Sequence, residues 1–103
     1  VTSNLDFDTA ADFLSVLANG NRLQIFRRLT DREWDVGSLA KELNLSQSAL
    51  SQHLKRMREL KLVETRREAQ TIFYYCQSAA VVKILLVLSD IAETDGGGSE
   101  LAA

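Results

Sequence analysis

The segment Leu45–Tyr75, LSQSALSQHLKRMRELKLVETRREAQTIFYY, most constrains the fold, because an amphipathic helix headed by a serine runs directly into a basic β-hairpin. Successive side chains around a helix rotate by about 100°. That rotation sets Leu50, Leu54 and Met57 on one side, flanked by Ala49, His53 and Leu60, and turns Ser48, Ser51, Gln52, Lys55 and Glu59 the other way. A helix divided like this docks its apolar stripe on its own domain and leaves the polar stripe for a partner. Ser46 is suited to cap it, since a serine hydroxyl can take an orphan amide of the first turn. Beyond Leu60-Lys61-Leu62, the runs Val63–Arg67 and Thr71–Cys76 are rich in β-branched and aromatic residues, which predicts two strands joined by a tip at Glu68-Ala69-Gln70. The tip lacks glycine, so its turn type stays open.

Upstream, the same periodicity predicts three more helices. The first is capped by Asp8 or Thr9 and runs to about Ala18, with Phe13, Leu14 and Leu17 at helical spacing. Ala18-Asn19-Gly20-Asn21 punctuates it. A second carries Leu23, Ile25, Phe26 and Leu29 and ends near Thr30-Asp31; Trp34 and Val36 then flank a short connection. The third runs from Ser38 to about Leu43 with Leu39, Ala40 and Leu43 turned inward, and Asn44-Leu45 makes the turn into the serine-headed helix.

Downstream, Ser78–Glu93 is apolar almost all round, interrupted by Lys83, Ser89 and Asp90. Such a helix needs cover on more than one side. With Lys83 inside it, it falls short of a membrane span, for which roughly 20 apolar residues are needed. In a chain of 103 residues, one domain by size, the economical cover is the core on one face and a twin subunit on the other, with the first helix joining in. The predicted dimer interface is Phe13, Leu14, Leu17, Val82, Leu85, Leu86 and Ser89. The organisation is thus an extension over residues 1–7, one domain over 8–93, and a disordered tail over 94–103, TDGGGSELAA. The fold class is mainly α: a winged helix-turn-helix of about five helices with one two-stranded β-hairpin wing, homodimeric.

A net charge of −2 argues at first against nucleic acid. Its distribution reverses that reading. Within Ser46–Arg67 six basic residues, Lys55, Arg56, Arg58, Lys61, Arg66 and Arg67, face two acidic ones, Glu59 and Glu64, so this segment carries +4 and the rest −6. A basic face on an acidic body attracts phosphate while limiting non-specific adhesion. The major groove admits a helix, and the N-terminal part of a recognition helix touches base edges there. Gln47, Ser48, Ser51 and Gln52 suit base reading, because glutamine bonds bidentately to adenine and serine donates or accepts. Ser38, Lys55 and Arg58, with Arg66, Arg67, Gln70 and Thr71 of the wing, suit phosphate contacts, which position without reading sequence.

Catalysis finds no footing. No Ser/His/Asp set, glycine-rich phosphate loop or metal-ligand cluster can be assembled around the chain's single histidine, His53, which falls inside the apolar arc. Cys76, the single cysteine, cannot form an internal disulfide and reads as a small apolar residue. With neither a signal pattern nor a stop-transfer pattern at the N-terminus, a cytoplasmic, nucleoid-associated protein with no membrane partner is expected.

The runs LSQSALSQHL and LVETRREAQTIFYY, with LANGNRLQI upstream, resemble the ArsR (SmtB/ArsR) family of bacterial winged-helix repressors. VKILLVLSDI, Val82–Ile91, is similar to the NolR/HlyU-like branch, and the resemblance covers Phe13 to Ile91. It implies a homodimer that binds a short inverted repeat in double-stranded promoter DNA and usually represses transcription. Many relatives sense metals or reactive sulfur. Their metal sensors use cysteines in the helix before the recognition helix, where this chain has Gly37-Ser38-Leu39-Ala40-Lys41-Glu42, or Asp/His/Glu sets on the last helix, where it has no histidine. Asp90 and Glu93 alone are a poor transition-metal set. The branch's dithiol sensors place cysteines near Arg27 and Thr94, and this chain has neither. No cofactor, metal or dithiol switch is expected, and any small-molecule inducer is unknown. Two alternatives stay in play: a winged-helix protein–protein module without DNA binding, which would not need the basic face, and an activator that displaces another DNA-bound protein.

Overall fold

Each helix begins where a short polar side chain takes the free amides of its first turn. The structure, a computed structural model, describes residues 4–94. Asp6 heads α1 (Phe7–Leu17), accepting from the amides of Asp8 at 3.0 Å and Thr9 at 3.3 Å. Asn19 accepts from Arg22 N at the start of α2 (Gly20–Asp31), and Asp35 from Ser38 N at the start of α3 (Val36–Leu43). Ser46 Oγ takes Ala49 N at 3.1 Å to open α4 (Gln47–Glu59), and Ser78 Oγ takes Val81 N to open α5 (Ala79–Thr94). Two starts differ from the sequence expectation. The Asp6 carboxylate also receives the Thr9 hydroxyl at 2.9 Å, so Asp8 and Thr9 become first-turn residues instead of caps. Asp35 reaches Ser38 N and starts α3 two residues early.

Three strands complete the domain: β1 (Trp34–Asp35), β2 (Glu64–Glu68) and β3 (Thr71–Tyr75), antiparallel in the order β1-β3-β2. The hairpin is therefore joined by a third strand, because the connection flanked by Trp34 and Val36 pairs Trp34 with Tyr74 and Asp35 with Phe73. Two residues carry too little alternation to be read as a strand. Glu68 pairs with Thr71, which shrinks the predicted tip to Ala69-Gln70. Ala69 has φ 55° while Gln70 does not share the positive φ, so only the first of the two tip residues takes a positive φ.

The core joins all five helices. Val16 of α1, Ile25, Phe26 and Leu29 of α2, Leu39 of α3, Leu50, Leu54 and Met57 of α4 and Val81 of α5 are fully buried. Each such side chain contributes about 2 kcal/mol by leaving water. Cys76 is buried with them, and its amide donates to Leu29 O at 2.9 Å, fastening the exit of the sheet to α2. Trp34 Nε1 is buried without a hydrogen-bond partner among the described residues, while the Arg32 guanidinium stacks 3.5 Å from the ring centroid.

Two turns place α4. Asn44, at φ 56°, ends α3 in the left-handed conformation that asparagine tolerates, and Leu45 N returns to Ala40 O at 2.9 Å. At the far end Lys61 takes φ 59°, and Leu62 N bonds Met57 O at 3.1 Å, which turns the chain toward β2.

The predicted tail lies outside the described residues from Asp95 on, and Thr94 ends α5. Among the described residues no helix is long and apolar enough to cross a membrane. Leu17, predicted at a dimer interface, is only 4% exposed and packs in the chain's own core. Large apolar side chains nevertheless stay in water on α1 (Phe7 75%, Leu14 53%) and on α5 (Leu86 64%, with Val82, Val87 and Ile91).

An alanine held at positive φ is strained, so Ala69→Gly should raise stability by roughly 0.5–1 kcal/mol. Chemical denaturation would show this as a higher midpoint. An unchanged or lower midpoint would mean that the turn relaxes to another conformation.

Candidate nucleic-acid interface

With Leu50, Leu54 and Met57 in the core, the opposite stripe of α4 has to face solvent. Gln47, Ser48, Ser51, Gln52, Lys55 and Arg58 are all exposed, as the sequence stripe requires. Neither Lys55 nor Arg58 takes part in the ion pairs of the described residues, which join Arg28 to Glu42 and Arg66 to Glu33 and Glu68. Both cations are open to an incoming anion. Gln47 Nε2 lies over the start of α3, 3.7 Å from where a Cβ on Gly37 would stand. It shares that end of the helix-turn-helix with exposed Ser38, whose amide is taken by Asp35 at 3.1 Å. Hydrogen bonds from the Ser38 hydroxyl and amide hold the Asp35 carboxyl below its ordinary range, so it stays charged at neutral pH.

His53 lies half-buried beside the apolar stripe. Burial, with the Arg22 charge adding to it, lowers its pKa and keeps the imidazole neutral. Because the folded pKa is depressed, this group favours folding above the ordinary histidine range and loses that contribution as pH falls through it.

In the wing, strand alternation separates two neighbouring arginines. Arg66 is opposite Phe73, whereas Arg67 is opposite Ile72 on the face that also carries the Thr65–Tyr74 pair. On its face Arg66 makes a two-pronged ion pair with Glu33, with Nε to Oε2 at 3.0 Å, and its guanidinium sits 4.9 Å from the Phe73 ring centroid. That hydrogen bonding pulls the Glu33 pKa down and the Arg66 pKa up. Arg67 uses only Nε, donating to Ala69 O at 3.1 Å and bracing the turn, so the rest of its guanidinium stays exposed. Gln70 and Thr71 are exposed at the tip. The structure thus gathers Arg67, Gln70 and Thr71 at the free end of the wing and draws Arg66 back against Glu33. The sequence reading did not single out Glu33, Ile72 or Tyr74, although period-2 alternation already sets Ile72 and Tyr74 on one face.

Of the predicted interface residues, Leu14, Val82, Leu86 and Ser89 are exposed and Phe13 and Leu85 half-buried. Between α2 and α5 runs an open groove whose lining includes Leu23, Arg27, Leu85, Leu86 and Ala92. No three His, Cys, Asp or Glu side chains among the described residues come together to hold a metal ion. Burial pushes the Cys76 thiol pKa up, which disfavours the reactive thiolate.

Residues 19–65 match the family model described as bacterial regulatory protein, arsR family. The nodulation protein NolR of Rhizobium meliloti is 54% identical over 90 residues, spanning 87% of this chain and 74% of that protein. The transcriptional activator HlyU of Vibrio cholerae is 49% identical over 79 residues, 77% of this chain and 73% of that protein. The crystal structure of NolR from Sinorhizobium fredii superposes with a TM-score of 0.80 at 48% identity, covering 87% of this chain and 96% of that one.

The two wing arginines should behave differently. Arg67→Ala should weaken binding to duplex DNA and reduce the steepness of its log–log salt dependence by about one, while Arg66→Ala should leave that slope near the parent value. Anisotropy titrations over a salt series would measure both, and equal slopes for the two variants would show that the Glu33 pair does not withhold Arg66 from phosphate.

Proposed function

This chain belongs to the ArsR family of bacterial regulatory proteins and is a DNA-binding transcription regulator; from that premise we propose that it acts as a cytoplasmic homodimer, binding an inverted repeat in promoter DNA and repressing transcription. The observation that carries this reading is the outer face of α4. Its N-terminal turns present Gln47, Ser48, Ser51 and Gln52 for base edges, and the next turns present Lys55 and Arg58 for phosphates. One such helix reads half a site. A two-fold pair reads two half-sites whose spacing is set by the dimer.

The apolar surface on α1 and α5 supports the pairing, since Leu14, Val82 and Leu86 lie in water in the single chain. A dimer seated on a promoter excludes other proteins from the same DNA, which makes repression the simplest outcome. A second reading, activation by displacing another DNA-bound protein, is favoured by one observation: the Vibrio relative is named a transcriptional activator. For control of binding we propose neither a metal nor a dithiol switch. Arg27 lines the α2–α5 groove, and the chain's one cysteine is buried.

Gln52→Ala should weaken a selected cognate duplex by about tenfold, as loss of a bidentate base contact does, and random duplex far less. Equal losses on both would remove Gln52 from base reading. Leu86→Asp should convert the dimer to a monomer with little change in helix content, because Leu86 lies outside the core. Sedimentation as an unaltered dimer would exclude this surface from the interface.

A further inference from the structure

Between α4 and β3 lies a cleft of about 260 Å³ lined by Ser51, Lys55, Arg58, Glu59 and Tyr74. Its α4 side follows from helix geometry: Ser51, Lys55, Arg58 and Glu59 recur at three- and four-residue steps, so they form one ridge. Its sheet side is Tyr74, centred between Trp34 and Thr65 in the strand register. The ring packs against the core, while the hydroxyl has no hydrogen-bond partner among the described residues. That hydroxyl is not among the buried unpartnered polar atoms, so it reaches solvent and is open to an incoming acceptor. Lys55 and Arg58, in no ion pair among the described residues, thus line with Ser51, Glu59 and Tyr74 a space large enough for a phosphate group.

The same sheet face continues outward from Tyr74 to Ile72 and Arg67 near the wing tip. The cleft therefore lies between the exposed stripe of α4 and the wing tip. We propose that the cleft seats one backbone phosphate of bound DNA, with the Tyr74 hydroxyl donating to a phosphate oxygen beside Lys55 and Arg58. This rests on the DNA-binding reading of α4 and extends it, because it fixes the wing and the recognition helix to one point on the duplex. The Glu59 carboxylate opposes the anion and tempers the affinity of the seat.

Phosphate contacts are independent of sequence, so a labelled random-sequence duplex at low salt is a sufficient probe for the full chain. Tyr74→Phe keeps the ring and should leave the denaturation midpoint unchanged while weakening binding about tenfold, the loss of one hydrogen bond to a charged oxygen. In a Lys55→Gln background the same change should cost less than about threefold, since the two groups hold one phosphate. Glu59→Gln should tighten binding. Parent affinity in Tyr74→Phe, or losses that simply multiply in the double variant, would overturn the seat while leaving DNA binding in place. A parent chain that binds no duplex at all would overturn both.

Discussion

The rotational setting of α4 governs everything else this protein presents. Burying Leu50, Leu54 and Met57 is worth about 2 kcal/mol for each side chain. A rotation by one residue would send Ser51 into the core without partners and expose Leu50, which carries the cost of burying an unsatisfied hydroxyl. Only one orientation is therefore stable. Asn44 in the left-handed conformation and Ser46 on the Ala49 amide fix where the helix starts. Core packing thus decides which side chains meet a partner.

Electrostatics then sorts the cations that packing leaves outside. Arg28 and Arg66 are engaged by Glu42 and Glu33, whereas Lys55 and Arg58 are in no ion pair among the described residues. Surface pairs of this kind add little stability. Their effect is on position: the Glu33–Arg66 contact links the residues before β1 to β2 and holds the wing beside the helix-turn-helix. The lowered Glu33 pKa means that this contact is present above the ordinary carboxylate range and lost as pH falls through the folded value. A protein of net charge −2 can in this way keep a cationic surface confined to one side.

Much of this was legible in the sequence because it follows from period and caps. The α4 stripe, Ser46 as its cap, the Asn44-Leu45 turn and the apolar last helix all come directly from spacing and side-chain chemistry. The three-stranded sheet did not, because Trp34 and Asp35 form too short a strand to show alternation and are fixed by pairing with Phe73 and Tyr74 from a distant part of the chain. Lys61 and Ala69 adopt positive φ with no glycine or asparagine to announce it. The separation of Arg66 from Arg67 was available in principle, but Glu33, the residue that gives it meaning, lies 33 positions away in the chain. The burial of Leu17 needed the packed core itself, since helical spacing alone grouped it with Phe13 and Leu14.

The central claim is that two copies of α4 read duplex DNA through a face fixed by the core. Selection of bound fragments from a random pool, followed by footprinting, tests it most directly. The account predicts enrichment of two inverted half-sites whose centres lie a whole number of helical turns apart, about 10 base pairs or a multiple of it. Recovery of unenriched fragments, or of a single half-site without its inverted partner, would contradict it.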